Sequence, residues 1–398
     1  MPEFRPFAAL RFAPGFDLGQ VLAPPYDVLS RDDVAHYHAL DPHNITHIDV
    51  PEDYGHAATL LKAWTQEGTL HLDPKDTFTI YRMSFTDAAG ASREITGVLG
   101  GLSVDDPPGL RSKQSPTTVL PHERTTPKAS TDRLELMRAT AANTSPIWGL
   151  SLAKGLTQAL KEPGEPLGRL TKDGTTHSVE VIADPERIQA IRAIISSDDV
   201  LIADGHHRYG VSRIYRDEVR AAIGRQDTQA EQTLAFVNEL VEDQLSIEAI
   251  HRLYAGVPRD ALRHALAQRF TLTPTSLTST TLTDMVERGR LAVLWPGGGV
   301  DWLAPKPGAF DGVRNLDGTL LETTLANLDA EVTYQHGVSH LRERVASGDY
   351  TAGILIRPTS IDEIRRTARE GLLMPPKSTF FTPKLLTGWV LRPTEPLT

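Results

Sequence analysis

The chain has 398 residues, no cysteine and a formal net charge of −10. That length allows two domains or one large one, and the missing thiol excludes disulfides, thiolate nucleophiles and Cys-ligated zinc. The acidic balance argues against a non-specific nucleic-acid coat, while 40% hydrophobic and 23% charged residues are ordinary globular values.

The N-terminal stretch MPEFRPFAALRF lacks the basic region and apolar core of a secretory signal. No apolar run reaches the length of a membrane span, so a soluble cytoplasmic protein is expected. Phe4 to Phe12 and Gln20 to Leu22 read as short strands. Pro24 and Pro25 then fix a rigid loop that presents Tyr26 and Asp27, either as a pocket wall or as a plain turn into the helix opened by Ser30 and Asp33. Asn44 to Val50 alternates like a strand, and Ala57, Leu60, Leu61 and Trp64 mark an amphipathic helix. Phe78 to Met83 and Ile95 to Val104 read as paired strands, and the Pro- and Ser-rich run Asp105 to Thr118 as a surface loop.

His122, Glu123, Arg124, Thr125, Lys128, Asp132 and Arg133 form the densest set of acid-base and phosphate-contacting side chains. They read equally as a solvated, salt-bridged helix entry. A helix from Thr131 to Ala142 follows, then a buried strand at Ile147 to Leu152, then a helix capped by Asp184-Pro185.

The most informative stretch is Val200 to Glu218, VLIADGHHRYGVSRIYRDE. A short apolar strand runs into the Asp204-Gly205 turn, after which Val211, Ile214, Tyr215 and Val219 recur at helical spacing. This order aims unpaired N–H groups at one spot and favours an anion there. Arg208 can clamp a phosphate in bidentate fashion, and the imidazoles of His206 and His207 can donate hydrogen bonds or move protons. A pair of surface histidines is the plainer reading. Adjacent histidines do not share a helix face, so they are poor partners for one zinc.

Leu234 to Leu240 and Leu245 to Ile250 are strand-like, with His251-Arg252 at the end of the second. A helix follows Pro258, the Thr-rich Thr271 to Thr283 reads as a loop or edge, and Leu291 to Trp295 and Gly353 to Arg357 read as central strands. Val338 to Ser347 reads as a helix. The segment Met374 to Lys384, MPPKSTFFTPK, sets Lys377, Ser378, Thr379 and Lys384 beside two aromatics. It suits an anionic ligand with a flat ring, or an ordinary edge strand with its aromatics packed inward. This lysine segment is expected to return to the Gly205 turn. There is no P-loop, GxGxxG, HExxH or GxSxG motif.

The GHHR turn after a short strand resembles the nucleotide-binding box of the ParB/sulfiredoxin superfamily, which includes sulfiredoxins, CTP-dependent ParB proteins and archaeal free serine kinases. More specifically, five segments resemble, in order, the family known as domain of unknown function 1015: APPYDVLS, HERT, ADGHHRY, His251-Arg252 and MPPKSTFFTPKL. One departure is Gly210-Val211-Ser212, where the family has a helix-favouring run. Sulfiredoxins use a cysteine in this turn, which this chain lacks.

The resemblance implies an α/β (α+β) fold, with a ParB/sulfiredoxin-like nucleotide-binding core of mixed sheets over residues 1–255. An appended C-terminal α/β region would cover residues 256–398. It implies phosphoryl transfer from ATP or ADP, with Mg²⁺, to a small hydroxyl metabolite. Asp204, Gly205, His206, His207, Arg208 and Tyr209 would then hold the nucleotide. Glu123 would serve as base or metal ligand, joined by His122, Asp27 and His207 in catalysis and by Asp204 at the metal. Arg124, Lys128, His251, Arg252, Lys377, Ser378, Thr379 and Lys384 would hold anionic substrate groups. Rival readings are a nucleotide-binding switch without turnover and a phosphoester hydrolase. Neither a nucleic-acid nor a membrane partner is expected.

Overall fold

The computed structural model describes residues 1–87, 90–105, 118–121, 127–375 and 377–395. The chain is a mixed α/β protein that divides into two compact units, Met1–Ser246 with Pro383–Thr398, and Ile247–Thr382. Residues 247–255, assigned to the first region from sequence, form strands of the second unit, and Pro383 onward belongs to the first. Among the described residues no helix is long and apolar enough to cross a membrane.

The first unit is built on a nine-stranded sheet. Its order is Val119–Leu120, Val200–Asp204, Ile147–Ser151, Gln232–Glu239, Ser92–Ser103, Phe78–Thr86, Thr175–Ile182, Glu165–Lys172, with Phe4–Arg5 also paired to Ser92–Ser103. Two pairings are parallel, Val119–Leu120 with Val200–Leu201 and Ile147–Ser151 with Ala235–Glu239. Ile80, Val98, Val200, Ile202 and Val237 are fully buried in one core with Ile191 and Ile195 of the Pro185–Ile195 helix. A separate cluster joins Leu134 and Met137 of the Pro127–Thr140 helix to Val211, Tyr215 and Val219 of the His206–Ile223 helix. The expected pairing of Phe78–Met83 with Ile95–Val104 is present, as strands Phe78–Thr86 and Ser92–Ser103.

Two expected strands are helical turns. Gln20–Leu22 falls on Leu18–Val21, capped where the Asp17 carboxylate accepts from the Gly19 N–H at 2.9 Å. Asn44–Val50 holds the helical turn Thr46–Asp49. There the Asn44 side chain accepts from both the N–H and the hydroxyl of Thr46, at 3.1 and 2.7 Å, and this local bonding outcompetes a ladder.

The second unit has a six-stranded sheet in the order Phe270–Thr275, Val300–Pro305, Leu291–Leu294, Ala352–Leu355, Ile250–Ala255, Glu331–His336. Leu291–Leu294 and Ala352–Leu355 are inner strands, as their unbroken apolar runs predict. Leu262, Leu266, Leu320 and Leu321 pack in one cluster and Met285, Leu341 and Val345 in another, so helices cover both faces.

Candidate anion-binding turn

Val200, Leu201 and Ile202 are fully buried and anchor the strand. Its pairing with Ile147–Ser151 slips between Ile202 and Asp204, so Asp204 stands opposite Trp148. Such a slip re-aims the side chains beyond it. Gly205 follows with φ +85° and ψ 27°, in the left-handed region, and opens the 18-residue helix His206–Ile223. A Cβ at Gly205 would lie 3.0 Å from Ile147 Cγ2 and 3.1 and 3.2 Å from Nε and Cζ of Arg208. Glycine is therefore required twice, for conformation and for space.

The helices Arg31–Leu40, Tyr54–Glu67 and Pro185–Ile195 are capped by the side chains of Ser30, Asp53 and Asp184. Gly205 supplies no side-chain oxygen to the His206–Ile223 helix. His206 and His207 occupy its first turn, half-buried. An N-terminus without a side-chain cap carries the positive end of the helix dipole, which suits an anion.

Arg208 is buried at 8% exposure. Its Nη2 donates to Asp204 Oδ2 at 3.1 Å and its Nη1 to the Pro146 carbonyl, while its Nε has no partner among the described residues. The outward bidentate fork expected from sequence is thus turned into the protein, where it braces Asp204. Burial opposes its charge, but Asp204, Tyr26, Asp27 and Asp49 outweigh burial and hold its pKa above the ordinary arginine value. Lys384 Nζ lies 3.4 Å from the same Asp204 Oδ2. Of the lysine segment, Lys384 reaches the Gly205 turn, while Lys377 lies in the second unit. Pro25, Ser145, Trp148, Asp204, Arg208 and Lys384 are among the residues lining a narrow cleft. Its free space is about 10 Å³, room for about one water.

Behind the cleft, Pro25 leads into the helical turn Tyr26–Val28. The Tyr26 ring lies under the Arg133 guanidinium at 4.1 Å and near that of Arg208 at 5.8 Å. Burial raises the Tyr26 pKa, against the nearby Arg208. Arg133 donates to the buried Asp49 at 3.2 Å, and the Thr144 hydroxyl donates to the same oxygen at 2.6 Å. Asp27 is exposed on the Tyr26–Val28 turn. Tyr209, expected at the nucleotide, is instead a core residue. It is 3% exposed, and its hydroxyl accepts from the Asp105 N–H at 2.8 Å.

Other expected anion-binding residues come together in the second unit. Arg252 Nη1 donates to the Lys377 carbonyl at 3.1 Å, and its guanidinium stacks on Tyr334 at 4.5 Å. Lys377 has a positive φ of 58°, so Arg252 holds a strained backbone carbonyl rather than presenting itself to solvent. Ser378 and Thr379 are buried, and the Ser378 hydroxyl donates to the Pro375 carbonyl at 2.7 Å. His251 is buried and its Nδ1 accepts from the Ile356 N–H at 3.3 Å. Its pKa is lowered to about 4 by burial, then by Arg252 and His336.

His122, Glu123 and Arg124 lie outside the described residues, and so does the side chain of Lys128 on the Pro127–Thr140 helix. Among the described residues no group of three or more His, Asp or Glu side chains is placed to hold a metal. Asp204 already faces two cations, so it fits Mg²⁺ only in exchange for one of them. Asp49 escaped the sequence reading because its partner Arg133 is 84 positions away and its segment alternates like a strand.

A family model described as "Protein of unknown function (DUF1015)" matches residues 4–329. No curated protein matches the chain. Among solved structures, a conserved hypothetical protein from Pyrococcus furiosus aligns at 10% identity, covering 66% of this chain and 87% of its own, with a TM-score of 0.37. A free serine kinase in complex with AMP aligns at 13% identity, covering 66% and 83%, with a TM-score of 0.37. SbnI with C-terminal truncation from Staphylococcus aureus aligns at 14% identity, covering 73% and 86%, with a TM-score of 0.39.

Proposed function

The chain belongs to the DUF1015 family, and we propose that its Asp204–Arg208 turn holds the phosphates of ATP or ADP for phosphoryl transfer to a small hydroxyl metabolite, in a ParB/sulfiredoxin-like core. The observation that carries this reading is the αL Gly205 opening a long helix without a side-chain cap, with two cations, Arg208 and Lys384, converging on Asp204 beside it. Backbone N–H groups of the first turn and the side chains of His206, His207 and Lys384 bind phosphate oxygens. Arg208 keeps Asp204 and the turn in place. A phosphoanhydride P–O bond breaks, a P–O bond forms to the acceptor oxygen, and the hydroxyl proton passes to Glu123, with His122, Asp27 and His207 as further acid-base groups.

The strand Val119–Leu120, which precedes the Glu123 segment in sequence, runs parallel to Val200–Leu201. Mg²⁺, if bound, would supply charge neutralisation for the phosphates. Asp204 and Glu123 would be its candidate protein ligands. The setting that goes with this chemistry is the cytoplasm.

A switch that binds nucleotide without turnover is the second reading. It is favoured by one observation, that Asp204 is already balanced by Arg208 and Lys384 and needs no metal to offset its charge. Thermal shifts with ATP and ADP, with and without Mg²⁺, on wild type, Arg208→Ala and Lys384→Met test the site. Phosphorus NMR with serine and other hydroxy compounds tests the reaction. A nucleotide shift lost in Lys384→Met plus a new phosphomonoester signal supports transfer. Binding without product supports the switch, inorganic phosphate without an acceptor indicates hydrolysis, and the absence of any shift refutes the site.

A further inference from the structure

The second unit contains a cavity of about 180 Å³ that the preceding chemistry does not use. Small-ligand pockets combine apolar walls with a few placed polar groups. This one fits that description. Its walls are Leu277, Leu294, Trp295, Val300 and Val345, and its floor includes the backbone of Gly298 and Gly299. The glycines belong to the hairpin loop between Leu291–Leu294 and Val300–Pro305, where Gly297 and Gly298 have φ of +85° and +88°. A Cβ at Gly298 would meet nothing within 4 Å, so the loop leaves the space open.

Trp295 is a rigid wall. Its indole N–H donates to Asp301 at 2.8 Å, its backbone N–H donates to the Gly299 carbonyl at 2.8 Å, and the Arg259 guanidinium stacks over its ring at 5.0 Å. The polar side chains of the lining are Arg342 and Ser276. Both are exposed, and neither has an ion pair or hydrogen bond among the described residues. Arg342 sits on the helix Val338–Ala346, whose last turn is tied off by N–H groups of Ser347 and Gly348 bonding to the Glu343 and Val345 carbonyls at 3.0 and 3.3 Å. The negative end of that helix is therefore partly offset, and Arg342 sets the sign at the cavity.

We propose that this cavity binds a small carboxylate with an apolar or aryl body, the body against Trp295, Leu277 and Val345 and the carboxylate on Arg342 and Ser276. An arginine fork matches a carboxylate, whereas a neutral amide of the same shape loses the charge-assisted bond.

Isothermal titration with phenylacetate and with phenylacetamide tests the assignment, on wild type, Arg342→Gln and Ala346→Phe. Ala346 is an exposed residue at the helix end that lines the cavity, so the larger ring fills the space without entering the core. Circular dichroism checks that the variants stay folded. Saturable phenylacetate binding is expected, with the amide at least tenfold weaker, Arg342→Gln reduced to the level of the amide, and Ala346→Phe losing both ligands. No saturable binding to wild type, equal affinity for acid and amide, or unchanged binding to Ala346→Phe would each overturn it.

Discussion

Replacing Gly205 by alanine tests the turn on which the site depends. Holding an L-residue in the left-handed region costs roughly 1–2 kcal/mol. The new methyl group would also sit 3.0 Å from Ile147 Cγ2 and 3.1 Å from Arg208 Nε. Neither neighbour moves freely, since Ile147 is fully buried and Arg208 is tied to Asp204 and the Pro146 carbonyl. Overpacking of this kind adds about 1 kcal/mol or more, so Gly205→Ala should destabilise the first unit by about 3 kcal/mol. Gly210, five residues on in the same helix, provides the internal contrast. A Cβ there meets nothing within 4 Å and its φ is not positive. Gly210→Ala should therefore stabilise by up to about 1 kcal/mol. Urea unfolding of both variants, read as midpoint shifts at constant slope for the transition of the first unit, measures the two effects. If Gly205→Ala lies within about 0.5 kcal/mol of wild type, the turn is not the constrained one described.

Acid should weaken the protein through two buried histidines. The Tyr81 hydroxyl is hydrogen-bonded with His177 Nδ1 at 2.9 Å and accepts from the Leu386 N–H at 2.9 Å, and burial, then Lys172, lowers the His177 pKa to about 4. A folded pKa below the unfolded 6.5 means the unfolded state takes up protons first. Stability is thus full above about pH 6.5 and falls toward pH 4, by about 3 kcal/mol per histidine at 1.36 kcal/mol per pKa unit. His251, also lowered to about 4, should weaken the second unit over the same window. Denaturant titrations at stepped pH check this, and a pH-independent midpoint between 6.5 and 4 would contradict it. Asp49→Asn should cost about 3 kcal/mol, because it removes the counter-ion of the buried Arg133. Asp49→Asn combined with Arg133→Met should recover part of the loss, as a double-mutant cycle would show.

The turn at Asp204–Gly205 was legible because its parts are contiguous: an apolar strand, a glycine and a helical repeat. The meaning of single side chains within it was less so. Sequence spacing sets Arg208 one helical turn from Asp204, yet whether the guanidinium points outward or back depends on Pro146, 62 positions away. Tyr209 reads as a site residue by adjacency, while the helix rotation sends it into the core. The hairpin Glu165–Lys172 with Thr175–Ile182 was available but unread. Its two-residue Asp173-Gly174 loop takes φ of +47° and +75°, and an Asp-Gly pair between alternating runs is a strong hairpin signal. The Asp49–Arg133 pair left no local trace, since neither residue's neighbours carry information about the other.

The passage of the chain out of the first unit at Ser246 and back at Pro383 sets an order on synthesis. The ribosome delivers Tyr81, Asp204 and Gln232 long before Leu386, Lys384 and Arg392, the residues that bond to them. The second unit, a continuous segment with its own sheet, can finish folding while the first still waits for its closing strand. Until Pro383–Arg392 emerges, the nascent first unit carries an open seam, a window in which a chaperone or a protease would compete with its completion.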